Sequence, residues 1–146
     1  MSGSGGPVFQ QLTLVVTDMD AAMVFWRQLG LAPDVTPGGV HARADLGPGV
    51  IIEWDTAGFA AQWDSGSPGP SAGGIIVGFE VASREAVDDL YAELTAAGYR
   101  GHQRPYDTFW GVRYAIVDDP DGHAAGLMSP VDDDRKFWPP APAPGP

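Results

Sequence analysis

Two strand-to-helix junctions set 65 residues apart constrain this chain more than any other feature. Gln11-Leu12-Thr13-Leu14-Val15-Val16-Thr17 places Leu12, Leu14 and Val16 on one face and reads as a half-buried strand. Asp18 caps a helix starting near Met19 by accepting from backbone N–H groups of its first turn. Ala22, Phe25, Trp26 and Leu29 follow helical spacing, and Gly30 suits the position just past the helix end. The same order returns in Ile75-Ile76-Val77-Gly78-Phe79-Glu80-Val81, the cap Ser83, the stripe Val87, Leu90, Tyr91 and Leu94, and the stop Gly98. Val16 maps onto Val81 at an offset of 65 and Gly30 onto Gly98 at 68, so the chain contains an internal duplication.

Each helix is followed by three short strands, at 33–36, 40–46 and 50–54, then at 99–104, 109–117 and 123–128. Gly38-Gly39, Gly47-Pro48-Gly49 and Asp118-Asp119-Pro120-Asp121-Gly122 mark turns. Each half is therefore βαβββ. A four-stranded sheet with a helix on one face must cover its other face or share it with a neighbour. The expected fold is α+β, two tandem βαβββ modules whose sheets enclose a cleft. Module one is residues 8–63, a Gly/Ser/Pro loop spans 64–74, and module two is 75–130. Residues 1–7 read as a flexible lead. Residues 131–146 read as an acidic, then proline-rich tail that should be disordered or extended, although Phe137 and Trp138 are placed to dock on the body.

Composition narrows the function classes. At 146 residues, with 44% apolar and 18% charged residues, the chain is of the length and kind of one ordinary folded domain. No run approaches the ~18 apolar residues of a spanning helix, and no basic leader precedes an apolar segment, so a cytoplasmic location is expected. The absence of cysteine excludes disulfides, thiolate metal sites and a cysteine nucleophile. Nineteen acidic residues face eight basic ones, and Lys136 is the sole lysine. Nucleic acids and strongly anionic substrates need Lys and Arg and are disfavoured. A net charge of -11 attracts neutral or cationic small ligands, and it also serves solubility.

Phe25-Trp26-Arg27-Gln28-Leu29-Gly30-Leu31, together with Trp110-Gly111-Val112-Arg113-Tyr114 and Asp119-Pro120-Asp121-Gly122-His123, resembles the vicinal-oxygen-chelate superfamily over residues 8–130. That superfamily includes glyoxalase I, extradiol dioxygenases, fosfomycin-modifying enzymes and bleomycin-resistance proteins. The Phe-Trp helix, Asp88-Asp89-Leu90-Tyr91-Ala92-Glu93 and Trp110-Gly111 look most like the bleomycin-resistance members. This resemblance implies a non-enzymatic homodimer that sequesters a drug in grooves between subunits, with Trp110 in the groove. It also implies four inward-facing ligand positions for a metal. Here they fall on Gln11, Glu53, Ile76 and Gly126. Gln11 and Glu53 are able to ligate; Ile76 and Gly126 are not. Two donors are few for Mg²⁺, Mn²⁺, Fe²⁺ or Ni²⁺, so neither metal nor cofactor is expected. His41, one strand from Glu53, is the candidate to rebuild a donor set, while the parity of His123 against Gly126 points it away. The third imidazole is His102.

The remaining candidates come from the residues themselves. Trp26 reads as core, and Trp54 points opposite to Glu53, against a helix. Phe59 and Trp63 lie in a flexible-looking stretch at 56–64, and Tyr106, Phe109 and Trp110 cluster at a strand entrance. Large aromatics at such places mark a pocket or a subunit interface. Glu53 faces the cleft with Ile51, and there it binds a cation, serves as a general base, or pairs with Arg113 or Arg43. Glu80 shares its parity with Ile76. No GxSxG, Walker A, GxGxxG or HExxH motif is present. The preferred function is metal-free binding and sequestration of a small, partly aromatic natural product or antibiotic, neutral or cationic. The ligand-binding residues are Trp110, Glu53, Gln11, Phe59, Trp63, Tyr106, Phe109 and Arg113. A homodimer is expected, because two half-size cores bury limited area alone. The alternative is an enzyme, either a metal-dependent lyase, isomerase or dioxygenase or a metal-free catalyst using Glu53.

Overall fold

Alternation along the strands decides which residues form each core. A computed structural model describes residues 6, 9–65, 67–70 and 75–145, so most of the lead at 1–7 and part of the loop at 64–74 lie outside the described residues. The chain divides into two units, Met1–Pro70 and Ser71–Pro146. The first contains β1 (Gln11–Val16), α1 (Met19–Gln28), β2 (Asp34–Val35), β3 (His41–Gly47), β4 (Val50–Thr56) and α2 (Ala57–Trp63). Its sheet runs β1-β4-β3-β2, with β1 parallel to β4. Asp18 caps α1, accepting from the Ala21 N–H at 3.2 Å, as its position predicts. Gly30 follows the helix with φ of +88°, a conformation open to glycine and strained for other residues.

On β4, Ile52 and Trp54 are fully buried, and α1 contributes Ala22, Phe25 and Trp26 to the same core. Trp26 meets Trp54 at 6.2 Å between ring centroids and Phe25 edge-on at 5.0 Å. Glu53 and Asp55 take the opposite face. The register Thr13↔Glu53 and His41↔Asp55 then places Gln11, Thr13, His41 and Arg43 on that face too. A slip of one residue would exchange the two sets, which the buried tryptophans forbid.

The second unit repeats the plan with β5 (Ile76–Glu80), α3 (Arg84–Ala96), β6 (Arg100–Asp107), β7 (Arg113–Asp118) and β8 (Ala124–Met128), in sheet order β5-β8-β7-β6. Ser83 caps α3, accepting from the Ala86 N–H at 3.1 Å, and Val87 and Leu94 are buried. The aspartate turn is held by Asp119, whose Oδ1 accepts from the backbone N–H of Asp121 at 2.9 Å and of His123 at 2.7 Å. The expected α+β fold of two four-stranded sheets is the observed one.

Three local readings change. Residues 56–64 are not a loose stretch: Thr56 caps the helix α2, accepting from the Phe59 N–H at 3.4 Å, and Ala60 is buried. The strand expected over 109–117 begins only at Arg113, because Thr108 closes a turn. The Gly111 N–H donates to the Thr108 carbonyl at 3.2 Å, and the Val112 N–H to its Oγ1 at 3.2 Å. The strand expected over 33–36 shortens to Asp34–Val35. The described part of the tail carries one 3₁₀ turn, Asp133–Arg135. Its end is held to β6 by Gln103 Nε2 donating to the Pro144 carbonyl at 3.1 Å and Arg104 Nε to that of Gly145 at 3.0 Å.

The Trp54 indole N–H is buried without a hydrogen-bond partner among the described residues. Trp54→Ala should lower unfolding free energy by ~3–5 kcal/mol, the usual cost of truncating a buried large aromatic. Trp54→Phe should cost clearly less, since it removes an unsatisfied donor along with part of the ring. Denaturant midpoints of equal size for the two variants would contradict this packing.

Candidate functional site

Asp55 is almost completely buried, 3% exposed, on the face of β4 opposite Trp54. A carboxylate in that position is costly unless its oxygens are met. Here both are. Oδ1 lies 2.5 Å from His41 Nδ1 on β3, and Oδ2 accepts from the Trp63 indole N–H of α2 at 3.0 Å. Because Thr56 starts α2 directly at the end of β4, the helix folds back over the sheet it has just left. It brings Phe59 to 5.9 Å from the His41 ring.

The result is an open cavity of about 330 Å³ lined by Gln11, Thr13, His41, Glu53, Asp55, Phe59 and Trp63. Glu53 is half-buried in it. Its one side-chain partner among the described residues is Gln11, whose Nε2 donates at a long 3.5 Å. Arg43, its register partner across β3, does not close on it. The carboxylate at Nδ1 requires a proton on that nitrogen of His41, and Nε2 has no partner among the described residues. Trp63 remains 54% exposed despite its anchored N–H.

Four of the expected site residues, Gln11, Glu53, Phe59 and Trp63, thus line one cavity in the first unit. Asp55 and Thr13 escaped the sequence reading. Parity would have found both, since each sits two residues beyond a residue assigned to that face. Tyr106, Phe109 and Trp110 lie in the second unit, in a row of edge-on contacts. Tyr106 meets Tyr114 at 6.2 Å, Tyr114 meets Trp110 at 5.6 Å, and Trp110 meets Phe109 at 5.1 Å. Burial raises the phenol pKa of Tyr106 and of Tyr114, and the latter is raised further by Tyr106. Arg113 is engaged within the second unit. Its Nε donates to Asp88 at 2.9 Å and its Nη1 to Asp107 at 3.1 Å, while Arg84 also engages Asp107, so it ties α3 to β6 and β7.

The donor set does not fit a divalent ion. At the third and fourth ligand positions, a Cβ on Gly126 would lie 3.1 Å from Ile76 Cγ2 and from the Tyr114 hydroxyl, and neither Ile76 nor Gly126 offers a donor. His41 keeps Nε2 uncommitted, but no further imidazole or carboxylate among the described residues joins it and Glu53 in a metal-holding group. His102 lies with Nδ1 2.8 Å from Asp118, which also accepts from Arg100 at 2.7 Å. Among the described residues no group of three or more His, Asp or Glu is arranged to hold a metal. No described helix is long and apolar enough to cross a membrane.

A family model for the Glyoxalase/Bleomycin resistance protein/Dioxygenase superfamily matches residues 8–127. Among solved structures the chain is similar to a glyoxalase-related enzyme from Fulvimarina pelagi, with a TM-score of 0.74 at 20% identity, covering 86% of this chain and 89% of that one. It is similar to a hypothetical protein from S. aureus, with a TM-score of 0.72 at 20% identity, covering 86% and 96%. It is also similar to lactoylglutathione lyase from Agrobacterium tumefaciens, with a TM-score of 0.61 at 17% identity, covering 86% and 96%. At these identities the likeness is one of fold. No curated protein matches the chain significantly.

Two measurements test this site. Purified, dialysed protein should carry no stoichiometric Ni, Zn, Fe or Mn by emission spectrometry; one ion per chain, lost in Glu53→Gln, would overturn the reading of the donor set. Asp55→Ala should cost about 3 kcal/mol of stability, because it strands His41 and the Trp63 indole N–H without their shared acceptor. A variant as stable as the parent would show that the Asp55 contacts do not hold α2.

Proposed function

The chain belongs to the glyoxalase/bleomycin resistance protein/dioxygenase superfamily, and from that premise we propose that it binds and sequesters a small, partly aromatic compound. The ligand is neutral or cationic and of the natural-product or antibiotic kind. One observation carries this reading: Glu53 is a half-buried carboxylate with no cationic partner among the described residues, in a cavity walled by Phe59 and Trp63. A ring lying on these aromatics gains stacking energy, and an ammonium or hydroxyl donor on it reaches Glu53. The Asp55 bond holds the Trp63 ring in place before the ligand arrives, which lowers the ordering cost of binding. The net charge of -11 supports the preference for neutral or cationic ligands. The reading includes a homodimer, in keeping with the resemblance to bleomycin-resistance proteins.

A second reading, metal-free catalysis, is favoured by the His41–Asp55 pair. A buried carboxylate orients the imidazole and leaves Nε2 free to exchange a proton beside Glu53.

A panel of cationic and neutral aromatic antibiotics, followed by tryptophan fluorescence and thermal shift, separates the two. Binders should quench tryptophan emission. Phe59→Ala should weaken them by ~1–3 kcal/mol, the range for losing a stacked aromatic. Glu53→Gln should weaken cationic ligands and spare neutral ones, and added salt should act in the same direction. If nothing in the panel binds, while a small oxygenated substrate is turned over and His41→Asn stops that turnover, sequestration fails and catalysis stands.

A further inference from the structure

The second unit holds an aromatic cleft that shares no residue with the Glu53 cavity. Phe109, Trp110, Phe137 and Trp138, with the stem of Lys136, line an open space of about 450 Å³. Backbone hydrogen bonds assemble it. The Thr108 turn presents Phe109 and Trp110, and the tail returns to them through the Asp132 N–H donating to the Gly111 carbonyl at 2.9 Å and the Phe137 N–H to that of Phe109 at 3.0 Å. Gly111 is required there: its φ is +89°, and a Cβ would lie 2.5 Å from the Asp132 carbonyl oxygen. Phe109 meets both indoles edge-on, Trp110 at 5.1 Å and Trp138 at 5.5 Å, each at 77°. Trp138 is 77% exposed and Phe137 42%, a concentration of uncovered aromatic surface that marks a contact site.

The charges around the cleft select its occupant. Lys136 Nζ is held by Asp133 at 2.8 Å, a pairing that lowers the Asp133 carboxyl pKa, and Arg135 Nε is 3.3 Å from Asp132. Both local cations are thereby neutralised. The Asp134 carboxylate has no ion-pair partner among the described residues, and the whole chain carries -11. Anions are repelled. Aromatic faces attract cations, most effectively cations whose alkyl groups make them cheap to strip of water. We propose that Phe109, Trp110, Phe137 and Trp138 form an aromatic cage for an alkylated ammonium group, as in a quaternary ammonium compound. Its methyl groups would sit on the rings, and the aspartates at 132–134 would supply the long-range attraction.

The test uses the full chain with choline, its neutral isostere 3,3-dimethylbutan-1-ol, and the indole N–H resonances of ¹⁵N-labelled protein. Choline should shift the Trp110 and Trp138 resonances, and the isostere should bind at least tenfold more weakly. Trp138→Ala should reduce choline affinity at least tenfold, and Trp138→Phe should restore part of it. Because Trp138 is largely exposed, both variants should keep the parent spectrum elsewhere. Equal binding of the isostere would reduce the cleft to an apolar patch and overturn the proposal. So would an unchanged affinity in Trp138→Ala, shifts confined to Trp63, or no shift up to about 10 mM choline, an affinity too weak for a built site. Self-association in sedimentation that Trp138→Ala abolishes would assign the cleft to a second copy instead.

Discussion

The buried carboxylate of Asp55 is the interaction on which the candidate site rests. It joins three elements at one point: its own strand β4, the neighbouring strand β3 through His41, and the short helix α2 through Trp63. A seven-residue helix is marginal by itself, and this one buries only Ala60. What holds α2 over the sheet is its cap at Thr56 and the indole bond to Asp55. The cavity exists because α2 is held there. The cost of burying the carboxylate is offset by two short contacts, and the same contacts set the orientation of His41 and Trp63.

Strand alternation then separates structure from chemistry within one segment. Along β4, Ile52 and Trp54 go to the core with Trp26, while Glu53 and Asp55 go to the site. The second unit uses the same scaffold with different side chains. In its sheet, Gly78 is register partner to Gly126 where the first sheet pairs Thr13 with Glu53. Ile76 and Gly126 stand in contact distance where Gln11 and Glu53 share a hydrogen bond. The repeat preserved the backbone plan, because the buried faces demand it, and left the opposite faces free to diverge. At these matched positions the first sheet carries polar side chains and the second small or apolar ones.

The tail adds what neither module supplies. Residues 131–145 lie along the second unit, placing Phe137 and Trp138 against the Thr108 turn and binding prolyl-segment carbonyls to β6. A composition that reads as featureless chain thus completes an aromatic cleft, through partners that lie far away in sequence.

By itself the sequence determined the duplication, both helix caps, the aspartate turn, the burial of Trp26 and Trp54, and the face on which Gln11 and Glu53 stand. These follow from periodicities of two and 3.6 residues and from capping chemistry, all of which act within a few positions of each other. Tertiary structure decided the rest. The helix α2 was hidden because seven residues carry too little periodicity, and its stability comes from Asp55, outside the helix. The late start of β7 came from the Thr108 turn, which overrode an apolar run. Arg113 found Asp88 and Asp107, and His41 found Asp55, across elements that only folding brings together. Alternation states which side of a strand a carboxylate occupies. Which donor reaches it depends on distances of about 3 Å between strands and helices remote in the chain, and local sequence does not encode those distances.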